Sequence, residues 1–213
     1  MSLSWAQLFG RKVPVSRRIA VTLAGGLLLV ASTVSLPATL AAQEELPVTA
    51  DPATCSVEPR ALPLWNGTPA AVADADQPDP ARGETADDAT IRGITSTIIE
   101  SAACANAGQP LRSYALVSDD FLARQFVGED AADVTESGAR LERPEPTPDP
   151  IDYLTVVAID EVVTFPDGSV GAIVTSSNDD GTYRDYVVFV EGETRWLIEA
   201  SFPIDDEAET PEA

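Results

Sequence analysis

The sequence predicts an α+β domain in which N-terminal helices are packed in a curved, four-stranded antiparallel sheet. Between residues 91 and 105, apolar side chains recur every three or four positions, which is typical of a helix with one buried face. After residue 153 the apolar period becomes two, and Gly, Asp and Asn interrupt it at short intervals, as they do in a meander. Helices followed by hairpin-connected strands define the α+β class.

Three helices are expected ahead of the sheet. Asp87 or Asp88 fits the N-cap of the first helix, and Gly108 fits its C-terminal stop. The apolar stripe of this helix consists of Ile91, Ile94, Ile98, Ala102 and Ala105. A second helical stretch covers 111–117. The third follows Ser118, whose hydroxyl is suited to cap it, and the acidic residues of its first turn complement the helix dipole.

Four strands follow, at 153–165, 170–175, 183–190 and 196–202. The turn residues Asp167–Gly168 and Asn178–Gly181 separate the first three. Neither acidic cluster in this half of the chain fits a metal site. Adjacent side chains at 118–120 point apart on a helix, and Val187 stands where a calcium loop after the second turn needs a bidentate Glu. We therefore predict no metal site and no cofactor.

The N-terminus has the pattern of an export leader. Four basic residues precede an apolar run from Ile19 to Val34, and small residues follow as far as Ala42. A signal peptide cleaved near Ala42 is favoured. An uncleaved anchor through 19–36 and a twin-arginine signal at Arg17–Arg18 stay open. In each case the positive-inside bias leaves the domain outside the cytoplasm, either secreted or anchored to the membrane.

The charge of the chain limits its partners. The formal net charge is −22, and the leader holds four basic residues and no acidic one, so the exported part is near −26. Such a surface repels phosphate backbones and anionic head groups. We therefore expect no nucleic-acid partner, and membrane contact only through the leader. Solubility is the favoured explanation of this acidity.

The chain contains no His, which excludes Ser-His-Asp and Cys-His nucleophiles and imidazole-ligated zinc. Any general acid or base would be Asp, Glu, Tyr or Cys. Both cysteines, Cys55 and Cys104, follow the leader. An even number of cysteines in an oxidising compartment predicts a disulfide between them.

Composition divides the chain into a leader or anchor, a tether, a domain and a tail. Residues 1–42 are the leader, and 43–86 are rich in Pro, Ala and Asp, as expected of a tether. The domain covers 87–203 and contains an acidic, Pro-rich connector at 127–150. Residues 204–213 form an acidic tail that we expect to be disordered.

Two stretches carry a resemblance to a known family. The run 115–122 (Ala-Leu-Val-Ser-Asp-Asp-Phe-Leu) resembles the helical corner of nuclear transport factor 2-like and SnoaL-like domains. The runs 167–172 and 189–198, the latter ending in Arg-Trp-Leu-Ile, are similar to the last strands of that family. The resemblance covers 87–203 and implies a sheet bent as a cone, with a pocket between its concave face and the helices.

The family includes isomerases that use a Tyr and two acidic residues, dehydratases that use His, cyclases, and non-catalytic binding domains. The dehydratase chemistry is excluded here, because His is absent. The candidate pocket residues are Tyr114, Tyr153, Asp160 and Tyr186. Alternation places Asp160 on one sheet face with Val156, Ala158 and Val162. A buried Asp160 would be a candidate base, but a solvated sheet edge is the favoured interpretation.

The resemblance and the missing His together favour a non-catalytic extracytoplasmic domain that binds a small apolar ligand or a protein partner in its cone. One alternative is a cone-pocket isomerase or cyclase that uses carboxylate and Tyr acid–base chemistry. The other is a structural spacer tethered to the envelope. A homodimer, where one forms, is expected to use the sheet.

Overall fold

The computed structural model describes residues 46–61, 75–125, 136 and 148–204. These residues include the helices α1 (Asp88–Asn106), α2 (Pro110–Tyr114) and α3 (Asp119–Gln125). The strands are β1 (Val48–Thr49), β2 (Glu84–Thr85), β3 (Thr155–Thr164), β4 (Val170–Asn178), β5 (Gly181–Glu191) and β6 (Trp196–Pro203). The architecture is α+β, with one antiparallel sheet.

The sheet contains six strands rather than the predicted four. The long strands run in the order β3-β4-β5-β6 as a meander, and the turns at Gly168 and Gly181 join the first three. The short strands β1 and β2 pair with opposite ends of β3, along the edge that β4 leaves free. The predicted meander is therefore confirmed, and its outer edge is extended by two segments that sequence periodicity did not reveal.

The helix ends follow from local capping. Asp87 accepts a hydrogen bond from the backbone N–H of Thr90 at 2.7 Å, and this contact holds the pKa of its carboxyl below the ordinary value. At the other end of α1, Gly108 has a φ of 64°, a conformation that Gly adopts without strain. Ser118 caps α3 by accepting from the N–H of Phe121 at 2.9 Å. The predicted caps Asp87 and Ser118 are confirmed.

Apolar side chains are buried on both faces of the sheet. The larger cluster lies between the sheet and the helices and includes Ile94, Ile98, Leu122, Val156, Ala172, Val187, Phe189 and Ile198. A second cluster lies on the outer face and consists of Phe165, Ile173, Tyr186, Val188 and Ala200. The strands β4 and β5 therefore have central side chains buried on alternate sides.

Two bulges in β3 change which residues share a face. The register shifts between Val156 and Ala158 and again between Asp160 and Val163, where Glu161 has a φ of 50°. Asp160 consequently pairs with Ile173 of the outer cluster, whereas Val156 belongs to the helix-side cluster. The expectation that Asp160 shares a face with Val156 and Val162 is wrong, because a bulge on each side of Asp160 reverses the alternation, and Val162 packs against the helix-side cluster.

Part of the predicted tether is fixed to the domain. Asn106 is 2 % exposed, and its Nδ2 donates to the carbonyls of Ala50 at 2.8 Å and Leu154 at 3.2 Å. The Cys55–Cys104 disulfide, with a Cα–Cα distance of 4.7 Å, ties the same segment to α1. Residues 46–61 therefore pack on the domain rather than extending from it, and the disulfide prediction agrees with the structure.

The predicted leader, the acidic tail and most of the connector lie outside the described residues. Among the helices that the structure describes, none is long and apolar enough to cross a membrane.

Candidate functional site

The four predicted pocket residues do not converge on one cavity. Tyr114 is 4 % exposed and belongs to the helix-side cluster, whereas Tyr186 belongs to the outer cluster. Asp160 lies on the Tyr186 face but is exposed, as the solvated-edge interpretation expects. Tyr153 is half-buried at the end of a 3-10 turn, where its N–H donates to the Pro150 carbonyl. An acid–Tyr pair inside one pocket is not formed by these residues.

Tyr186 lies against a strand position that has no room for a side chain. A Cβ at Gly171 would overlap the Tyr186 hydroxyl, so Gly is required there. The hydroxyl is buried and makes no hydrogen bond among the described residues. Burial raises the pKa of Tyr186, and the carboxylates of Glu161 and Asp79 raise it further. Tyr186 therefore stays neutral and contributes mainly to packing.

A groove of about 500 Å³ opens between α1 and the turn that joins β5 to β6. It is lined by Gly93, Ser96, Thr97 and Glu100 from α1, and by Glu191, Gly192, Glu193, Thr194, Arg195 and Trp196 from the turn. We call this the α1–turn groove. Most of its lining is polar, and its open side faces solvent, so it differs from the apolar interior pocket that the family resemblance implies.

Contacts between α1 and the turn hold the walls of the groove in place. Thr97 Oγ1 donates to the carbonyl of Trp196 at 2.9 Å, and the Trp196 ring lies directly against Gly93. Arg195 Nη1 donates to Glu100 Oε2 at 2.7 Å. Within the turn, the Gly192 N–H donates to the Arg195 carbonyl at 2.8 Å. The groove is therefore preformed on a helix and a tight turn.

The groove carries an excess of negative charge. Arg195 is neutralised by Glu100, which leaves the exposed carboxylates of Glu191 and Glu193. Neither of these two carboxylates forms an ion pair with another described residue. Beside them lies the half-buried indole of Trp196. A groove whose lining combines an aromatic ring with two carboxylates suits a positively charged group.

A second polar location lies inside the domain. Asp185, in the middle of β5, is 1 % exposed, and its parity places it with Val187 on the helix side. Its Oδ1 and the Oγ of Ser201 on β6 are both buried without a hydrogen bond among the described residues. Burial raises the pKa of Asp185 to about 7, and the nearby Ser201 hydroxyl opposes part of the shift. We call Asp185 and Ser201 the interior polar pair.

Sequence reasoning missed the importance of Asp185, although the signal was present. Tyr183, Asp185, Val187 and Phe189 alternate along one face of β5, so a carboxylate stands within a row of apolar and aromatic residues. A buried strand face that includes one Asp predicts a carboxyl with a raised pKa. The α1–turn groove had a weaker signal, because its lining comes from two segments about 100 residues apart.

Groups of three or more His, Cys, Asp or Glu side chains arranged to hold a metal ion are absent from the described residues. No protein-family model, curated protein or solved structure matches this chain. Any functional assignment therefore depends on the chemistry of the groove and of the interior polar pair.

Proposed function

We propose that this protein is a non-catalytic, extracytoplasmic binding domain whose ligand places a positively charged group in the α1–turn groove. The observation that carries the proposal is the position of Trp196 beside Glu191 and Glu193 in a preformed, solvent-open groove. A cation over an indole ring gains about 0.5–2 kcal/mol, and flanking carboxylates add charge complementarity. An ammonium or guanidinium group on a small molecule or a protein partner fits this chemistry.

The charge of the whole chain supports the same ligand class. With a net charge of −22, the protein attracts cations over long range and repels anions such as nucleic acids. The Cys55–Cys104 disulfide fits an extracytoplasmic location, because disulfides persist in oxidising compartments. The leader pattern of residues 1–42 adds sequence support for export. Whether exported protein is free or anchored does not change the proposed site.

We also propose that the protein belongs to the nuclear transport factor 2-like family, but the proposed ligand site does not depend on this membership. One long and two short helices on one face of an antiparallel sheet agree with the family's arrangement. The family's pocket would lie between the helices and the sheet, where buried apolar side chains such as Ile94, Leu122 and Phe189 are packed. We therefore place the ligand in the α1–turn groove in preference to an apolar cone pocket.

A second candidate function is proton-transfer catalysis in the interior. One observation favours it: Asp185 is a buried carboxyl whose pKa is about 7, the range that suits a general acid or base at neutral pH. This carboxyl is 1 % exposed, so a substrate would need an opening to reach it. The binding function ranks first because its site is already accessible. A structural spacer is the third candidate and would require neither site.

Binding can be tested by isothermal titration calorimetry of the full chain with a short arginine peptide and with tetramethylammonium. We expect saturable binding that the double variant Glu191→Gln/Glu193→Gln weakens at least fivefold. The matched control Glu84→Gln/Asp160→Asn removes the same charge at exposed positions of the sheet and should leave the affinity nearly unchanged. Equal weakening by both double variants would show unspecific attraction and would defeat the proposal.

A further inference from the structure

We propose that Asp185 is a proton-binding site inside the fold, and that release of its proton as the surroundings become alkaline loosens the β5–β6 side of the sheet. This inference goes beyond the proposed ligand binding, because it concerns the stability of the sheet and does not depend on the α1–turn groove.

The geometry at Asp185 is unfavourable for a carboxylate anion. The side chain is 1 % exposed, so water does not solvate it, and its Oδ1 accepts no hydrogen bond from any described group. Moving an ionised carboxylate into such a place costs several kcal/mol unless a cation or several donors compensate. A protonated carboxyl avoids most of this cost.

The neighbouring strands supply no compensating charge. From β4, Val174 lies directly opposite Asp185, and from β6 the neighbours are Pro203 and, diagonally, Ser201. Along β5 itself, Tyr183 and Val187 lie on the same face, and Tyr183 is the titratable group among them. Arg184 is adjacent in sequence, but it is exposed and points to the other face.

The helices do not supply compensating charge either. Glu100 of α1 is paired with Arg195, and Arg124 of α3 is paired with Glu199 at 2.8 Å. The buried polar side chains of the helices, such as Thr97, Ser101 and Asn106, are uncharged. Within the described residues, the polar group near the Asp185 carboxyl is therefore the uncharged hydroxyl of Ser201. Consistent with this, burial is the largest cause of the raised pKa of Asp185, and no opposite charge contributes.

The direction of the pH effect follows from proton binding in the two states. The pKa is about 7 in the folded protein and about 3.9 in an unfolded chain, so between these values the folded state holds a proton that the unfolded state has released. Stability therefore falls as pH rises from about 4 to about 7, and then levels off. Below about 4 both states are protonated, and the group contributes no further change.

The loosening should be greatest where Asp185 sits. Its backbone is paired with Pro203 near the end of β6, and the next hydrogen bond, from the N–H of Ile204 to the carbonyl of Arg184, is 2.9 Å long. A carboxylate formed at this point gains solvation if the end of β6 moves away from β5. Local opening of this kind requires less free energy than global unfolding.

The test combines a site-specific titration with stability measurements on the full chain. Carbon-13 NMR of the carboxyl groups gives the titration of Asp185 in the unaltered protein. Denaturant unfolding between pH 4 and 8 is measured for the unaltered protein, Asp185→Asn and Asp160→Asn. The Asp185→Asn side chain imitates the protonated carboxyl in size and charge. Asp160→Asn is the matched control, because Asp160 is an exposed Asp on the same sheet.

We expect Asp185 to titrate near pH 7. Across this range the unfolding constant of the unaltered protein should rise on the order of 10³-fold relative to Asp185→Asn, since each unit of pKa difference corresponds to tenfold. Protection factors of the β6 amides, which are corrected for the base-catalysed intrinsic exchange rate, should fall over the same pH range in the unaltered protein and stay nearly constant in Asp185→Asn. Titration of Asp185 near pH 4 would overturn the proposal, and so would a pH profile of Asp185→Asn that equals that of the unaltered protein. Should Asp185→Asn fail to fold, the NMR titration of the unaltered chain decides alone.

Discussion

Gly93 of α1 and Trp196 at the start of β6 lie in direct contact within the lining of the α1–turn groove. A Cβ placed on Gly93 would be 2.5 Å from Cδ1 and 2.7 Å from Nε1 of the indole ring. Real Cβ atoms do not approach other atoms so closely, so the ring occupies the space that any other residue would need. The carbonyl of Trp196 is held on the same helix by Thr97. This glycine therefore fixes where the aromatic wall of the groove stands.

The first prediction concerns Gly93→Ala. Ala is the better helix former by about 1 kcal/mol, so propensity alone would stabilise α1. The overlap with Trp196 should outweigh this gain and lower the free energy of unfolding by about 1–3 kcal/mol, the usual cost of overpacking. Denaturant unfolding measures the change. Ser96→Ala, an exposed substitution on the same helix, should change it by less than about 0.5 kcal/mol. A more stable Gly93→Ala protein would contradict the packing of Trp196 on α1.

The second prediction concerns export. The basic pair Arg17–Arg18 lies immediately before the apolar run of the predicted leader, where positive charge is expected to orient insertion. Changing both residues to Ala should slow export severalfold in the native host, measured by pulse labelling and fractionation. Changing Arg82 to Ala, an exposed basic residue beyond the predicted leader, should leave the export rate unchanged. Retention of the unaltered chain in the cytoplasm would refute the assignment of residues 1–42.

The elements that the sequence predicted are those determined locally. The N-caps Asp87 and Ser118 depend on residues within one turn of helix, so composition reveals them. The long strands are predicted from the alternation of apolar and polar residues, which is also visible in the sequence. The predicted bounds of the second helix were too long, since α2 ends at Tyr114 and the next residues pair with β6 instead.

What the sequence did not reveal depends on contacts between distant residues. The strands β1 and β2 have two residues each and form because β3 offers a free edge. Strands this short show no periodic pattern in the sequence from which they could be predicted. The face of Asp160 depends on a bulge, and a single inserted residue reverses every side chain beyond it. The groove brings together Glu100 and Arg195, which are 95 positions apart. Contacts between residues so far apart in the sequence depend on the folded topology, so local sequence patterns do not predict them.

The third prediction concerns Asn106, which connects α1 to both the N-terminal segment and β3. Besides its two donated hydrogen bonds, its Oδ1 accepts one from the N–H of Leu154 at 2.8 Å. Asn106→Ala leaves the Ala50 carbonyl and the Leu154 N–H without this partner, while the Leu154 carbonyl still accepts from the Ala50 N–H. The substitution should lower the free energy of unfolding by about 2–4 kcal/mol, because each unsatisfied group costs about 1–3. Ser101→Ala is the matched control. Ser101 Oγ is buried without a hydrogen bond among the described residues, so its removal should be neutral or stabilising. Equal losses in both variants, measured by denaturant unfolding, would refute this role of Asn106.

The last prediction concerns the disulfide and links it to the groove. The Cys55–Cys104 bond closes a loop with a sequence separation of 49, for which chain entropy gives about 4 kcal/mol of stabilisation. Next to it, Ser56 donates from its N–H and from its Oγ, the latter at 2.9 Å, to Glu100 Oε1, while Glu100 Oε2 accepts from Arg195. The disulfide therefore holds Ser56 in place. Ser56 in turn positions the carboxylate of Glu100, which pairs with Arg195 in the groove.

The variant Cys55→Ser/Cys104→Ser should melt at a lower temperature and lose about 4 kcal/mol of unfolding free energy. Mass spectrometry of the unaltered secreted protein should show the two cysteines linked. In the variant we also expect a two- to fivefold weaker affinity for the arginine peptide, since Ser56 no longer restrains Glu100. Ser56→Ala, which keeps the disulfide but removes the hydroxyl donor, should reproduce part of that loss of affinity with little loss of stability. Two freely alkylated thiols in the native protein would rule out the disulfide. An unchanged peptide affinity in both variants would show that the groove is independent of it.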